Sequence, residues 1–75
     1  MAEAQELERD VEKNYPVDQF IDKPRRLADC LEQGERFRIQ VAGTRITVPA
    51  DAEISVEHER DGDGEELEFQ LKWKP

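Results

Sequence analysis

The end of the chain carries the pattern that most constrains the fold. From residue 66 to residue 73, polar and apolar side chains alternate without exception. Strict alternation is typical of a β-strand with one face in solvent and one against a core, because successive side chains point to opposite faces of a sheet. The apolar set is Leu67, Phe69, Leu71 and Trp73, and the polar set is Glu66, Glu68, Gln70 and Lys72. Other elements must therefore cover the apolar face.

Three more short runs alternate in the same way, and their spacing predicts two hairpins. We expect a two-residue loop at Ala42-Gly43 in the first hairpin and a four-residue loop at Asp61-Gly62-Asp63-Gly64 in the second. Both registers gather the apolar side chains of their strands on one face. The predicted pairs are Phe37 with Val48, Ile39 with Ile46, Val41 with Thr44, Ile54 with Leu71, Val56 with Phe69 and His58 with Leu67.

Before the first hairpin, apolar residues recur every three or four positions, which predicts one face of an α-helix. Pro16 suits the first turn, where its missing N–H breaks no bond, and Gly34 suits the end. Pro24 is the exception, because a proline inside a helix removes a backbone hydrogen bond. We expect a break or kink between Asp22 and Pro24, with residues 24–33 as the firmer part. The apolar stripe is Val17, Phe20, Ile21, Leu27, Ala28 and Leu31.

These elements predict an α+β fold, a two-layer sandwich in which a broken or kinked helix covers one face of an antiparallel four-stranded meander. Residues 1–5 are expected to be disordered and residues 6–75 to form a single domain. The segment from Glu6 to Lys13 fits either a helix face or an extra strand, and its local pattern leaves both open. The expected core of the sheet is Phe37, Ile39, Ile46, Val48, Ile54, Val56, Leu67, Phe69, Leu71 and Trp73, facing Phe20, Leu27 and Leu31.

Length and charge narrow the classes of function. A chain of 75 residues leaves little room for an enclosed substrate cavity, so we expect neither an enzyme nor a cofactor. The net charge of −8 disfavours nucleic acid as a partner. The sequence has one cysteine, no leader and no long apolar run, so we expect a cytoplasmic protein that does not bind membranes. We expect it to be a monomer or a weak homodimer.

Five runs form a recognisable set: residues 27–34, residues 37–43, Val48-Pro49-Ala50, Glu57-His58-Glu59 and residues 67–73. Together they resemble the amphi-Trp domain family, small prokaryotic proteins of unassigned function. The similarity extends from Tyr15 to Trp73, and the amphipathic last strand that ends in tryptophan is its most distinctive part. The resemblance implies an α+β fold, no catalytic residues, and an extended segment before the helix, which favours a strand for residues 6–13.

His58 is the only histidine, and acidic residues surround it in sequence. A metal or ligand site centred on His58 and the Asp61–Glu65 turn is therefore one hypothesis. Alternation opposes it, because Glu57 and Glu59 point to the face opposite His58. We favour a partly packed histidine beside an ordinary turn. Cys30, at the edge of the helical stripe, is expected to pack as a small apolar side chain.

Charged side chains dominate the other face of the predicted sheet. A charged face of this kind is either simply solvated or docks a charged partner. We predict that this charged face makes the chain a non-enzymatic protein-interaction module with an unknown protein partner. The alternative is a small metal- or ligand-binding protein centred on His58. The candidate interaction residues are Arg36, Arg38 and Arg45 on the first hairpin, and Glu57, Glu66 and Glu68 on the second.

Overall fold

The computed structural model describes residues 9–75 and has an α+β fold. The expectation of disorder for residues 1–5 lies outside the described residues. The helices are α1 (Val17–Phe20) and α2 (Asp22–Gln33), and the strands are β1 (Phe37–Val41), β2 (Thr44–Val48), β3 (Glu53–Asp61) and β4 (Gly64–Lys72).

Strands β1 and β2 form the first hairpin in the predicted register. Phe37 lies opposite Val48, and Ile39 lies opposite Ile46. The turn uses Ala42 and Gly43, with φ of 47° and 83°. Two left-handed residues give a turn whose twist matches that of the flanking strands, which is why a two-residue loop suffices.

Strands β3 and β4 form the second hairpin, also in the predicted register, with Val56 opposite Phe69 and His58 opposite Leu67. The predicted four-residue loop is wrong. Asp61 pairs with Gly64, so the loop contains only Gly62 and Asp63. Gly62, with φ of 59°, supplies the left-handed conformation that so short a loop needs.

The two hairpins are separate two-stranded sheets. A single four-stranded meander is therefore not confirmed. Pro49 follows β2 and has no N–H to offer a sheet ladder, and its carbonyl accepts a hydrogen bond from the Ala52 N–H at 3.2 Å in a turn. Residues 9–13 are not in a strand, so this part of the strand favoured for residues 6–13 is wrong, and residues 6–8 lie outside the described range.

The helical segment is interrupted at Ile21, one residue before the predicted break. Ile21 keeps helical dihedral angles (φ −51°, ψ −40°), and Pro24 is the third residue of α2. Residues 24–33, expected to be the firmer part, all lie in α2, which begins two residues earlier because the first turn of a helix tolerates proline. Gly34 ends α2 in the left-handed conformation, as predicted. Within residues 9–75, no helix has the length and apolar character needed to cross a membrane.

Helix α2 covers the first hairpin through Arg26 as well as through apolar contact. The Arg26 guanidinium lies 5.3 Å from the centre of the Phe37 ring, and its Nη1 donates to the Arg38 carbonyl oxygen at 3.1 Å. Its Nε also donates to Asp22 Oδ2 at 2.9 Å. Phe37 and Val48 are 6% and 5% exposed, the buried core of the described residues.

The second hairpin is not covered in this way. Ile54, Val56, Leu67 and Phe69 share one face and are 53%, 60%, 67% and 68% exposed. Their expected burial is therefore wrong, although their register is right. Alternation specifies which face of a hairpin is apolar, but a second layer must lie against that face before it is buried.

Candidate functional site

The structure places Arg38 and Arg45 on the exposed side of the first hairpin and Arg36 directly before β1, and the three are hereafter the basic face (Arg36, Arg38, Arg45). Arg38 and Arg45 lie diagonally across β1 and β2, since Arg38 pairs with Thr47 and Arg45 with Gln40. Arg36 and Arg38 line a shallow depression of about 540 Å³ together with Glu35. All three arginines are exposed.

The second hairpin carries the acidic face (Glu57, Glu59, Glu66, Glu68). Glu57 lies directly opposite Glu68, and Glu59 lies directly opposite Glu66. Carboxylate oxygens of Glu59, Glu66 and Glu68 all lie within 4.8 Å of one another. Like charges directly opposed across a ladder are unfavourable. The acidic face therefore carries electrostatic repulsion in the free protein.

Hydrogen bonds from Gln70 and a raised pKa at Glu66 accompany the close approach of these carboxylates. The Gln70 amide donates to Glu57 Oε2 at 2.7 Å and to Glu68 Oε2 at 3.0 Å, which offsets part of the repulsion. The hydrogen bond with Glu68 and the negative charges of Glu59 and Glu68 raise the pKa of Glu66 above its ordinary value of 4.5. The negative charges of Glu59 and Glu68 thus disfavour the charged form of Glu66.

The predicted charged face is thus divided between two sheets rather than lying on one. Arg38 and Arg45 lie on the first hairpin with Arg36 just before it, and Glu57, Glu66 and Glu68 lie on the second. The β1–β2 ladder places Arg38 and Arg45 on one face, and the β3–β4 ladder gathers Glu57, Glu66 and Glu68.

His58 meets one acidic residue of the predicted turn. Its Nε2 lies 2.9 Å from Glu65 Oε1, and the Arg60 Nε donates to the same oxygen at 3.4 Å. Among residues 9–75, the one cluster of three metal-ligating side chains is Glu59, Glu66 and Glu68, and it does not include His58. The geometry around His58 therefore offers a hydrogen-bonding contact with one carboxylate rather than a set of convergent ligands.

Sequence reasoning missed an open apolar groove of about 1080 Å³. It is bounded by the segment before α1, by the two helices, by the first hairpin and by the end of β4. Trp73 lies in it and is 39% exposed. The large apolar residues that line it include Phe20, Leu27, Phe37, Ile39, Ile46 and Trp73.

The groove has a cationic rim (Arg9, Lys13, Lys23, Lys72) and a single acidic residue, Asp10. The Tyr15 ring holds two of these cations, since Lys23 Nζ and Lys13 Nζ lie 4.4 Å and 5.4 Å from its centre. Arg9 donates to Thr44 Oγ1 and to the Val41 carbonyl oxygen. No local pattern reveals this rim, because its members come from three distant segments.

Comparisons with models of protein families, with curated proteins and with solved structures find no match. The resemblance to the amphi-Trp domain family therefore stays a prediction from the residues. The function has to be argued from the surfaces described above.

Proposed function

We propose that this chain is a small, non-enzymatic protein-interaction module of the cytoplasm that binds a partner protein through its charged faces. The basic face binds through Arg36, Arg38 and Arg45, and the acidic face through Glu57, Glu66 and Glu68. The crowding of Glu59, Glu66 and Glu68 within 4.8 Å is the observation that carries the proposal. A cationic group placed there relieves the repulsion, so binding is favoured over the free state.

The basic face and the acidic face are separate, which favours a partner protein whose negative and positive charges are separated in the same way. Opposite charges on two different hairpins fix the orientation of a charged partner, because reversing it would place like charges together. Mobile counterions screen both faces but cannot select an orientation. The proposal therefore includes specificity as well as attraction.

The chemistry of the described residues also favours binding over catalysis. The chain has one histidine and one cysteine. His58 is exposed and pairs with Glu65, and Cys30 lies half-buried on α2. Neither is part of a nucleophile and base arrangement that would activate a substrate.

An affinity pull-down from the source cell tests the acidic face. The wild type is compared with the triple variant Glu57→Gln, Glu66→Gln, Glu68→Gln. The matched control is Asp18→Asn, Asp29→Asn, Glu32→Gln, which removes the same charge from the two helices. We expect one partner to be recovered by the wild type and the control and lost with the acidic-face variant. Equal recovery by all three would contradict the proposal.

The second candidate function is binding of a metal ion or small ligand at His58 and the Asp61–Glu65 turn. The observation in its favour is the contact of His58 with Glu65, which joins an imidazole and a carboxylate. Melting temperatures of the wild type and His58→Ala with and without Zn²⁺ or Ca²⁺ separate the candidates. The interaction module predicts no shift that depends on His58, since any cation held by Glu59, Glu66 and Glu68 would shift both proteins alike. A shift present in the wild type and absent in His58→Ala favours the metal site.

A further inference from the structure

Strand β4 has one edge that no other described strand covers. In the part of the chain that the structure describes, β4 pairs with β3 alone, and these two strands form a sheet of their own. A two-stranded hairpin is marginally stable in water, and a free strand edge offers a row of N–H and C=O groups to a further strand. A strand added along this edge would therefore stabilise the hairpin.

The hairpin geometry defines which backbone groups lie on this edge. The pair that closes a two-residue hairpin loop is hydrogen-bonded, and here that pair is Asp61 and Gly64. Hydrogen-bonded and non-hydrogen-bonded pairs alternate along an antiparallel ladder, so the even-numbered residues of β4 bond to β3. The N–H and C=O groups of Leu67, Phe69 and Leu71 consequently point away from β3.

The same edge is open to the groove. Residues 69–73 all line the groove, although successive side chains of a strand point to opposite faces. Consecutive residues of a strand line one cavity when that cavity runs along the edge of the strand. The C-terminal half of the β4 edge therefore faces the open groove rather than a packed segment of the chain.

Strand β4 is complementary to itself when two copies run antiparallel. With a two-fold axis through Phe69, apolar residues meet apolar residues on one face, and on the other face each glutamate meets a lysine or an amide. Direct cross-strand pairs of these kinds are stabilising. The pairs are Phe69 with Phe69, Leu67 with Leu71, Glu68 with Gln70, and Glu66 with Lys72.

Other registers of β4 are poorer. An axis through Glu68 places that glutamate opposite itself, and like charges directly opposed are destabilising. An axis through Gln70 places Glu68 opposite Lys72 but shortens the paired segment, because β4 ends at Lys72. The axis through Phe69 combines the longer paired segment with the absence of opposed like charges.

The edge of β3 is not complementary to itself. Every two-fold axis through residues 55–59 places two acidic residues opposite each other, such as Glu57 with Glu57 or Glu53 with Glu59. In β4, by contrast, the charges at the two ends of the paired segment are opposite in sign. Neither Glu66 nor Lys72 forms a salt bridge with another of the described residues. Both are exposed, so each can pair with a second copy.

We propose that two copies of this chain join their β4 strands edge to edge, antiparallel, about a two-fold axis at Phe69. The two hairpins become one four-stranded sheet, in which Leu67, Phe69 and Leu71 exchange backbone hydrogen bonds with the other copy. Glu66 of each copy meets Lys72 of the other. The dimer needs no other protein, so its test is independent of the partner binding proposed above.

Charge reversal at the ends of the paired segment tests the dimer by sedimentation equilibrium. Glu66→Lys places two lysines at each end and Lys72→Glu places two glutamates there, so each variant alone should have a dissociation constant roughly tenfold or more above that of the wild type. An equimolar mixture of the two variants restores opposite charges at both ends. We expect the mixture to form heterodimers with about the wild-type dissociation constant.

Controls separate the pairing from net charge and from misfolding. Asp29→Lys, on α2, changes the net charge as Glu66→Lys does and should dimerise like the wild type. Circular dichroism should find each variant folded, because residues 66 and 72 are exposed. A mixture that fails to associate would overturn the proposal, as it would if the axis passed through Gln70. A wild type that stays monomeric would do the same.

Amide hydrogen exchange measured by NMR tests the edge itself. The amides of Leu67, Phe69 and Leu71 should become protected as protein concentration rises, whereas the Gln70 amide, bonded to β3, should be protected at every concentration. A dimer in which the first three amides still exchange freely would overturn the proposal. Protection that does not depend on concentration would overturn it as well, since a segment of the same chain would then cover the edge.

Discussion

The two hairpins of this protein are alike in sequence pattern and unlike in environment. Each alternates apolar and polar residues, and each forms in the register that the alternation predicts. Helix α2 covers the first hairpin and buries Phe37, whereas the equivalent face of the second hairpin leaves Phe69 exposed. The comparison teaches that pairing within a hairpin and burial of its apolar face are separate physical events.

The sharpest test of this difference substitutes one phenylalanine in each hairpin. Phe37→Ala should lower the free energy of unfolding by about 3 to 5 kcal/mol, because it leaves a cavity beneath α2. Phe69→Ala should cost about 1 kcal/mol or less in the monomer, since the ring is 68% exposed. Urea unfolding at low protein concentration measures both. Equal losses would mean that the second hairpin is covered in solution even in the monomer.

The next largest loss of stability is expected when the contacts that Arg26 makes between α2 and the first hairpin are removed. Arg26→Ala removes the hydrogen bond to the Arg38 carbonyl oxygen and the contact with the Phe37 ring. We expect a loss of about 1 to 2 kcal/mol by the same measurement. Arg25→Ala is the control, since Arg25 is the neighbouring exposed cation on the same helix. A loss in Arg25→Ala as large as that in Arg26→Ala would show that the charge matters and the contacts do not.

Replacing Pro24 should stabilise the helical segment that covers the first hairpin. Ile21 already has helical dihedral angles, so Pro24→Leu lets the new N–H donate to the Phe20 carbonyl and joins α1 to α2. We expect a gain of about 1 kcal/mol, seen as a higher melting temperature. Pro24→Ala restores the same N–H without a large side chain. If neither variant melts higher, the proline does not weaken the helix.

The smallest expected effect concerns the acidic face of the second hairpin. The pKa of Glu66 is raised in the folded state, so folding favours its protonated form. Its contribution to stability therefore falls as pH rises from the ordinary value of 4.5 through the raised value. Glu66→Gln should melt slightly higher than the wild type at neutral pH, and the difference should vanish when Glu66 is protonated in both states at acidic pH. Glu32→Gln, on α2, controls for the loss of one negative charge. An equal rise in its melting temperature would show that the neighbouring glutamates of Glu66 have no special effect.

Much of the local structure followed from the residues because short-range interactions decide it. Alternation fixed both registers, Ala42-Gly43 fixed the first turn, and Gly34 fixed the end of α2. The second loop came out shorter than expected, since Asp61 and Gly64 pair instead of remaining in the loop. The membership of the acidic face, and of Arg38 and Arg45 in the basic face, likewise follows from residue parity within each strand.

The sequence by itself determined which residues pair and which faces are apolar or charged, because those depend on the two-residue repeat of a strand and on the backbone preferences of a few residues. Only the tertiary structure decided which apolar face is covered, where Arg26 lies, and that Arg9, Lys13, Lys23 and Lys72 meet around one groove. These features depend on contacts between segments far apart in the chain. Amphipathic patterns specify that a face needs a partner, but they do not specify which partner supplies it.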